Sequence, residues 1–312
     1  MKIALLFPGQ GSQYKGMCRS LVNDFPYVKK YFDEANELLR FDMLKLCLNG
    51  PEEELNLTVN AQPCILLNSY CAFQVLRQEH DIKPFLLAGH SLGEISALCC
   101  SGAIAFKDAI KIVRKRGQLM QDASGLGTGA MIAINGLSVN EIETIIASTG
   151  SQGFAVISNI NSEIQIVVSG ERDSVYKVGL EAKGLGAVTI PLKVSAPFHS
   201  PMMKPAAIAF EKELSLYNYS RLNYPVISNV RSKPYRNENE IIPLLVDQVT
   251  SAVNWHRISS YLSRAGVDAT LELPPGKTMT KLSASKTDKI SHFAFDQFSE
   301  LFVNIKTQST SV

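Results

Sequence analysis

Short apolar runs alternate with longer segments of helical periodicity over the first 123 residues of the chain. Two apolar runs, 2–7 and 85–88, end at turn residues, and spacing typical of helices covers 20–40, 94–101 and 107–123. Such alternation is typical of βαβ units around a parallel sheet. The pattern therefore predicts an α/β fold.

A different order of elements begins after the glycine-rich stretch at 125–129. The pattern there predicts strand 130–134, helix 139–148, strands 154–160 and 165–169, helix 172–182 and strand 187–191. The order β-α-β-β-α-β is that of a ferredoxin-like module. We therefore predict a small subdomain, 127–193, inserted into a larger subdomain formed by 1–126 and 194–312, with a cleft between them. A helix at 204–214, a short strand at 224–229 and a helix at 254–265 are expected in the larger part.

Composition and charge exclude several classes of protein. The chain has 312 residues, and its 31 basic and 29 acidic side chains leave a net charge of +2, too small for a dedicated nucleic-acid-binding domain. No apolar run approaches the roughly 18 residues of a membrane helix, and the first run meets Pro8 too early for a signal peptide. We expect a cytoplasmic monomer that binds neither nucleic acid nor membrane.

The cysteines show no CxxC pair and no histidine at zinc-finger spacing. We interpret all six as reduced thiols packed in the core, where free cysteine behaves as a small hydrophobic residue. They are Cys18, Cys47, Cys64, Cys71, Cys99 and Cys100.

A G-x-S-x-G motif, with Ser91 at its centre, joins the apolar run at 85–88 to a helical segment. This context predicts a sharp strand-to-helix turn in which Gly89 and Gly93 give the backbone room and the serine hydroxyl is presented outward. The dipole of the following helix would favour negative charge beside the hydroxyl. The alternative is a glycine-rich turn whose serine only caps the helix.

A serine nucleophile needs a base, and five histidines are available. His90 is adjacent to Ser91 and must point away across the turn, His80 lies in a polar stretch and His292 is near the C-terminus. His199 follows directly where the chain leaves the predicted insert, and is the best candidate; His256 is a weaker one. The alternative for His199 is a loop histidine with a structural hydrogen bond.

The turn at 8–13 follows the first strand and resembles a dinucleotide-binding loop only superficially. Tyr14 stands where the third glycine of G-x-G-x-x-G would be, so that motif fails. An oxyanion hole is the better interpretation, in which a backbone N–H of this loop pairs with the N–H of Leu92. A simple tight turn remains the alternative.

Arg116 interrupts the apolar face of the helix at 107–123. Helical spacing puts Ala109, Ile112, Val113, Leu119 and Met120 on one face and Lys107, Lys111, Arg114 and Lys115 on the other. Arg116 falls within the apolar face, where an unpaired charge is costly. It therefore either pairs with a buried carboxylate of the protein or faces a cleft and binds the carboxylate of a ligand.

Together these segments resemble the malonyl-CoA:acyl carrier protein acyltransferase family, including the discrete acyltransferases that serve polyketide synthases. The resemblance covers nearly the whole chain through motifs at 7–13, 61–63, 89–94, 116–117, 120–121, 129–131, 198–200 and 225–230. One departure is Pro274, where the family usually has glycine, and a change in that C-terminal loop is expected. The resemblance implies an α/β-hydrolase-like large subdomain with a ferredoxin-like insert, as the pattern also predicts.

The resemblance also implies roles for individual residues. Ser91 would be the acylated nucleophile and His199 its base, and the backbone of Gln248 would orient the histidine, which makes a Ser/His dyad without a carboxylate. Gln10 and Leu92 would supply the oxyanion N–H groups.

Arg116 would bind the malonyl carboxylate. The implied reaction is ping-pong transfer of malonyl from malonyl-CoA through an acyl-serine to the phosphopantetheine thiol of an acyl carrier protein, in fatty acid or polyketide biosynthesis. It needs no metal or redox cofactor.

Two other functions compete with this interpretation. One is a serine acyl hydrolase acting on carrier thioesters, which would gain nothing from Arg116. The other is a scaffold that only docks carrier proteins.

Two further expectations concern selectivity and docking. Phe198 and Leu92 flank the base and nucleophile, where the resemblance implies serine and glutamine in methylmalonyl-selecting enzymes, so we expect preference for malonyl unless Phe198 is only a core residue. An acidic carrier protein would dock on one of two basic faces. These are Lys107, Lys111, Arg114 and Lys115, or Lys277, Lys281, Lys286 and Lys289.

Overall fold

The computed structural model describes residues 1–123, 129–149, 153–194, 196–283 and 289–298. The strands of this part of the chain are β1 (Ile3–Phe7), β2 (Leu86–Gly89), β3 (Gly129–Asn135), β4 (Ala155–Ile160), β5 (Gln165–Glu171), β6 (Val188–Pro191), β7 (Val226–Ile227), β8 (Ala269–Glu272) and β9 (Ser291–Ala294). The helices are α1 (Arg19–Asp24), α2 (Lys29–Leu39), α3 (Met43–Asn49), α4 (Glu52–Asn56), α5 (Thr58–His80), α6 (Leu92–Cys100), α7 (Phe106–Asp122), α8 (Val139–Thr149), α9 (Arg172–Gly184), α10 (Lys204–Leu214), α11 (Ile241–Thr250), α12 (Trp255–Arg264) and α13 (Thr278–Ser283).

Five strands form a parallel sheet in the order β7-β2-β1-β8-β9. The central strand β1 pairs with β2 and β8, so that Leu5 lies opposite Leu87 and Leu271. All residues of β1 are buried, because one side of the strand enters the main core and the other packs with Trp255 of α12. Burial on both faces is typical of parallel sheets covered by helices. The predicted α/β fold with a parallel sheet is confirmed.

Four strands form a separate antiparallel sheet in the order β4-β5-β3-β6. On one face, Ile132 and Ile134 of β3 share a hydrophobic cluster with Ile142 of α8 and Val178 of α9. The predicted ferredoxin-like order of elements is present. The boundary proposed between 126 and 127 lies outside the described residues, and the division into subdomains remains a prediction.

The prediction of continuous helical structure over 20–40 is wrong. Helix α1 ends at Asp24, a 3-10 turn begins at Pro26, and α2 starts only at Lys29. Proline restricts the residue before it to extended conformations, and Phe25 has φ −129° and ψ 71°. The proline therefore separates the two helices.

Helix α5 has no counterpart among the predicted elements, although it is the longest helix described. Almost every residue from Thr58 to Leu76 is buried, so the helix lacks the polar face that would reveal its periodicity. It packs against α6 and α7. Its Ser69 hydroxyl donates to the carbonyl of Pro274 at 2.6 Å, which ties the loop after β8 to this helix.

The sequence pattern also missed α3, α4, α11 and α13 and the strands β8 and β9. The two strands have four residues each, too few for a clear alternation.

All six cysteines are free and buried, and burial raises the pKa of the Cys71 and Cys100 thiols. Within the described ranges no helix is long and apolar enough to cross a membrane.

Candidate active site

Ser91 lies at the sharp turn between β2 and α6. Its φ of 51° and ψ of −108° are outside the regions that most residues occupy. A Cβ on Gly89 would lie 2.0 Å from the carbonyl group of Gly93, and one on Gly93 would lie 2.0 Å from the carbonyl oxygen of Phe7. Both glycines are therefore required where strand, turn and helix meet.

The hydroxyl of Ser91 is engaged by a histidine and does not cap the helix. Ser91 Oγ lies 2.7 Å from His199 Nε2, while no side-chain capping bond is made at the start of α6. His199 is 4% exposed and has a φ of 56°. The structure thus brings together the two residues that the sequence assigns as nucleophile and base.

His199 is held in one tautomer. Its Nδ1 lies 2.8 Å from the carbonyl oxygen of Gln248, which only accepts hydrogen bonds, so Nδ1 carries the proton and Nε2 accepts from Ser91. Burial, reinforced by the Arg116 charge, lowers the pKa of His199 to about 3. The imidazole is therefore neutral at physiological pH.

Gln248 lies in the last turn of α11, where the main-chain carbonyls have no N–H partner within the helix. This position leaves its carbonyl free to meet His199. The side chain is fully engaged as well: Oε1 accepts from Arg116 Nη2 at 2.9 Å, and Nε2 donates to the carbonyl of Ser91 at 3.0 Å.

Arg116 projects from α7 into this cluster and is 1% exposed. Its Nη1 donates to Gln62 Oε1 at 2.9 Å, and its Nη2 also donates to Ser91 Oγ at 3.2 Å. Within the described part of the chain, no carboxylate lies at ion-pair distance from Arg116, so the alternative of a structural ion pair is not what the fold contains. Burial lowers the pKa of Arg116 to about 10, with the Glu94 charge opposing the shift. The guanidinium remains charged and is held by neutral groups.

The predicted oxyanion loop packs against the serine turn. His90 N donates to the carbonyl of Phe7 at 3.0 Å, and Gln10 Nε2 donates to Thr58 Oγ1 at 3.0 Å. In the described residues neither the N–H of Gln10 nor that of Leu92 donates to a protein acceptor. Both backbone N–H groups are therefore available, and that of Leu92 directly follows Ser91 in the chain.

The other histidines lie elsewhere. His90 Nε2 is 3.1 Å from Asn161 Oδ1, so its ring points away from the serine as predicted, and burial lowers its pKa to about 4. His256 is the second residue of α12, and His80 contacts Phe298. His292 Nδ1 lies 2.8 Å from Thr270 Oγ1.

Sequence reasoning missed a buried acidic residue beneath the site. Glu94 is fully buried; Oε1 accepts from the Tyr235 hydroxyl at 2.5 Å, and Oε2 accepts from the amide of Asn229 at 3.2 Å and from Gln248 Nε2. Burial raises the pKa of Glu94 to about 7. Asn229 Oδ1 in turn accepts from Ser91 N at 2.7 Å. A charged residue in the otherwise uncharged and fully buried α6 was the available signal, of the same kind that singled out Arg116.

Phe198 and Leu92 both belong to the main hydrophobic core, with 8% and 0% exposure.

One assignment on the basic face of α7 is wrong. Arg114 is half-buried and donates to the carbonyl of Val59 at 3.0 Å and to Asn60, because α7 packs against the start of α5.

The remaining lysines of the two basic faces differ in what they contact. Lys107 pairs with Glu34 at 3.2 Å, and Lys277 pairs with Asp296 at 2.5 Å. Lys286 lies outside the described residues.

Two surface cavities of about 450 and 550 Å³ lie away from Ser91. The first is lined by apolar residues of α8 and β4, including Ile146 and Ile157, and the second by residues including Tyr70 and Phe106. Neither is lined by Ser91 or His199. No group of three or more potential metal-binding side chains is found in the described ranges.

A serine on a strand-to-helix turn, with a histidine on its hydroxyl and a free N–H on the residue that follows it, is the arrangement of enzymes that transfer or hydrolyse acyl groups. The family model for the acyl transferase domain matches residues 4–292, and the chain belongs to this family.

Relatives and solved structures agree with this assignment. The chain is 40% identical over 300 residues to a malonyl CoA-acyl carrier protein transacylase of Bacillus subtilis, covering 96% of this chain and 75% of the relative. An acyl carrier protein S-malonyltransferase from Vibrio cholerae matches with a TM-score of 0.91, 40% identity and coverage of 94% and 96% of the two chains. A structure of a type II polyketide synthase acyl carrier protein in complex with its malonyl-transacylase matches with a TM-score of 0.92, 38% identity and coverage of 94% and 96%.

Proposed function

We propose that the protein transfers a malonyl group from malonyl-CoA, through an acyl-serine at Ser91, to the phosphopantetheine thiol of an acyl carrier protein. The observation that carries the proposal is a buried cation, Arg116, placed 3.2 Å from a serine hydroxyl that also meets a neutral histidine. The names of the relatives, which are malonyl transacylases, point to the same substrates.

In the first half-reaction, His199 Nε2 takes the Ser91 proton while Oγ attacks the thioester carbonyl. The N–H groups of Gln10 and Leu92 are assigned to the carbonyl oxygen as it becomes negative. When the carbonyl re-forms, the carbon–sulfur bond breaks, CoA leaves as the thiol after taking the proton from His199, and malonyl-Ser91 remains.

The free carboxylate of the malonyl group is assigned to Arg116. A guanidinium binds a carboxylate through two parallel hydrogen bonds, and a buried site strengthens that interaction. Its Nη2 donates to Ser91 Oγ in the free protein, so the binding group is already beside the nucleophile. Gln62 and Gln248 hold the guanidinium without neutralising it.

In the second half-reaction, the carrier thiol gives its proton to His199 and attacks the acyl-serine carbonyl. The ester bond breaks, Ser91 recovers a proton from the imidazole, and malonyl leaves on the carrier. All of these proton transfers are assigned to protein groups. The buried, reduced cysteines fit the cytoplasmic location included in this proposal.

The function is tested by intact-mass spectrometry. Mixed with malonyl-CoA, the wild-type protein is expected to gain one malonyl group, and to lose it when a phosphopantetheine-bearing acyl carrier protein is added. Loss of the adduct in buffer at the same rate without the carrier would favour the acyl hydrolase instead. Absence of any adduct would refute acyl transfer through the protein.

We expect malonyl-CoA to outcompete methylmalonyl-CoA for Ser91 at equal concentration. The Phe198 side chain, next to the base in sequence, is proposed to crowd the additional methyl group. Excluding one methyl group is worth about 1–3 kcal/mol, so a preference of one to two orders of magnitude is expected.

Phe198→Ser is expected to narrow the preference of Ser91 for malonyl over methylmalonyl in the same competition. Phe198→Leu, which keeps a large apolar side chain, is the matched control. Equal loading of both esters on the wild-type protein would contradict the steric explanation, as would an unchanged preference in a folded Phe198→Ser variant.

We expect acylation of Ser91 by acetyl-CoA to keep its rate as the pH falls from 8 to 5. A base must be neutral to act, and because the pKa of His199 is lowered to about 3, protonation begins to inactivate it only well below pH 5. A neutral acyl group is used so that titration of a substrate carboxylate does not enter. Single-turnover rates showing a midpoint near pH 6.5, the value of an ordinary histidine, would contradict this prediction.

A further inference from the structure

We propose that Glu94 is a positioning residue for Arg116. By hydrogen bonding to the side-chain amide of Gln248, its carboxylate fixes the amide in the orientation that accepts from the guanidinium. This inference rests on the proposed function, because its consequence is selectivity for acyl groups that carry a free carboxylate.

Glu94 is located where it controls one end of that amide. It lies in the first turn of α6, three residues after Ser91, and its carboxylate is fully buried. One oxygen, Oε1, accepts from the Tyr235 hydroxyl at 2.5 Å. The other oxygen, Oε2, accepts from the backbone N–H of Asn229 and from Gln248 Nε2.

The surroundings of Gln248 permit only one orientation of its amide. Glu94 and the Ser91 carbonyl are acceptors, and both contact Nε2, whereas Arg116 is only a donor and contacts Oε1. Turning the amide by 180° would place its NH₂ against a guanidinium and its oxygen against a carboxylate. Removing the acceptors of Glu94 removes one of the three contacts that set this orientation.

The effect is expected at Arg116 and not at His199. The imidazole rests on the main-chain carbonyl of Gln248, which α11 holds in place whatever the side chain does. A turned amide would leave the hydrogen bond between Ser91 and His199 in place, while it loses the contact with the Ser91 carbonyl and displaces the guanidinium from Oε1. Binding of a substrate carboxylate would weaken, and acylation by a neutral group would continue.

The amide also separates Glu94 from Arg116. A direct ion pair between them would compete with the substrate carboxylate for the guanidinium, but the Gln248 side chain stands between the two charges. Glu94 can thus orient Arg116 without occupying the donors that the substrate needs.

The experiment compares Glu94→Met with Glu94→Gln. Methionine keeps the length of the side chain but has no strong acceptor. Glutamine keeps an oxygen for Gln248 and for the backbone N–H of Asn229, loses the charge, and turns its NH₂ toward the Tyr235 hydroxyl, which can accept from it. Second-order rate constants for Ser91 acylation are measured with malonyl-CoA and acetyl-CoA. We expect Glu94→Met to lower the malonyl-to-acetyl ratio about tenfold, and Glu94→Gln to restore it to within about twofold of wild type.

Three further variants make the test specific. In an Arg116→Ala background, Glu94→Met is expected to change the ratio no further, because the guanidinium through which it acts is gone. Tyr235→Phe removes the hydrogen bond to the other oxygen of Glu94 and is the matched control for packing; its ratio is expected to stay at the wild-type value. If Glu94→Met does not fold, as judged by thermal melting, Glu94→Leu, which also has no acceptor for Gln248 Nε2, takes its place and is expected to lower the ratio similarly.

Several results would overturn the inference. Equal losses with both esters would indicate a general structural role, and a Glu94→Gln variant as impaired as Glu94→Met would indicate that charge matters and orientation does not. A further fall in the ratio in the Arg116→Ala background would exclude action through the guanidinium. Absence of a malonyl adduct on the wild-type protein would refute the proposed function and this inference together, whereas the other outcomes refute this inference alone.

Discussion

Replacing Ser91 with alanine is expected to abolish the acyl-enzyme formed from malonyl-CoA. In the proposed cycle the malonyl group is bonded to Ser91 Oγ, and the hydroxyl is the group that His199 Nε2 contacts at 2.7 Å. Loss of a serine nucleophile typically lowers turnover by about four to six orders of magnitude. Intact-mass spectrometry is expected to show no adduct on the variant, and transfer to a carrier protein is expected to fall to background.

His199→Ala is the companion variant, since a serine hydroxyl without its base is a poor nucleophile. It is expected to slow acylation nearly as much, while His256→Ala, which alters the histidine at the start of α12, serves as the control. A malonyl adduct that persists on Ser91→Ala would place the nucleophile elsewhere. Slow acylation in His256→Ala with normal acylation in His199→Ala would reassign the base.

Arg116→Ala is expected to impair malonyl transfer selectively. Truncating one partner of a buried charge pair costs about 2–5 kcal/mol, and the malonyl carboxylate would lose the guanidinium that is otherwise held beside Ser91 by Gln62 and Gln248. An acetyl group has no carboxylate to lose. The rates of Ser91 acylation from malonyl-CoA and acetyl-CoA are measured on the same preparation. Their malonyl-to-acetyl ratio is expected to fall, relative to wild type, by the factor that corresponds to this free energy.

Two controls separate substrate binding from stability in this comparison. Gln118→Ala changes a half-buried side chain of the same helix, whose amide donates to the Asp122 carboxylate, and is expected to leave both rates unchanged. Thermal melting reports whether the Arg116→Ala variant is folded. Equal losses for both acyl groups in a folded variant would show that Arg116 has a structural role only.

The site residues that can be predicted from the sequence are those with a signal in the neighbouring residues. Ser91 is flanked by two glycines that the close approach of strand and helix demands, and Arg116 interrupts an apolar helical face. Both signals are contained within about ten residues. Elimination among the five histidines and the position after the predicted insert both indicate His199, and the structure brings it to the serine.

The partners of Arg116 could not be predicted in the same way. Gln62 belongs to α5, whose burial on all sides hides its periodicity, and the side chain of Gln248 comes from α11, which the pattern missed. Contacts between residues more than 50 positions apart depend on how three helices pack. The role of Glu94 needs the same packing, since its carboxylate meets Tyr235, Asn229 and Gln248 only in the folded chain.

The single imidazole of His199 bears on how long the proposed acyl-serine survives in water. A thiol loses its proton near pH 8.5 and water near 15.7, so the same base takes a proton from a thiol with an advantage of roughly seven pKa units over water. We therefore expect the acyl-serine to last longer toward solvent than toward an incoming thiol, which would conserve the energy of the thioester until a carrier arrives.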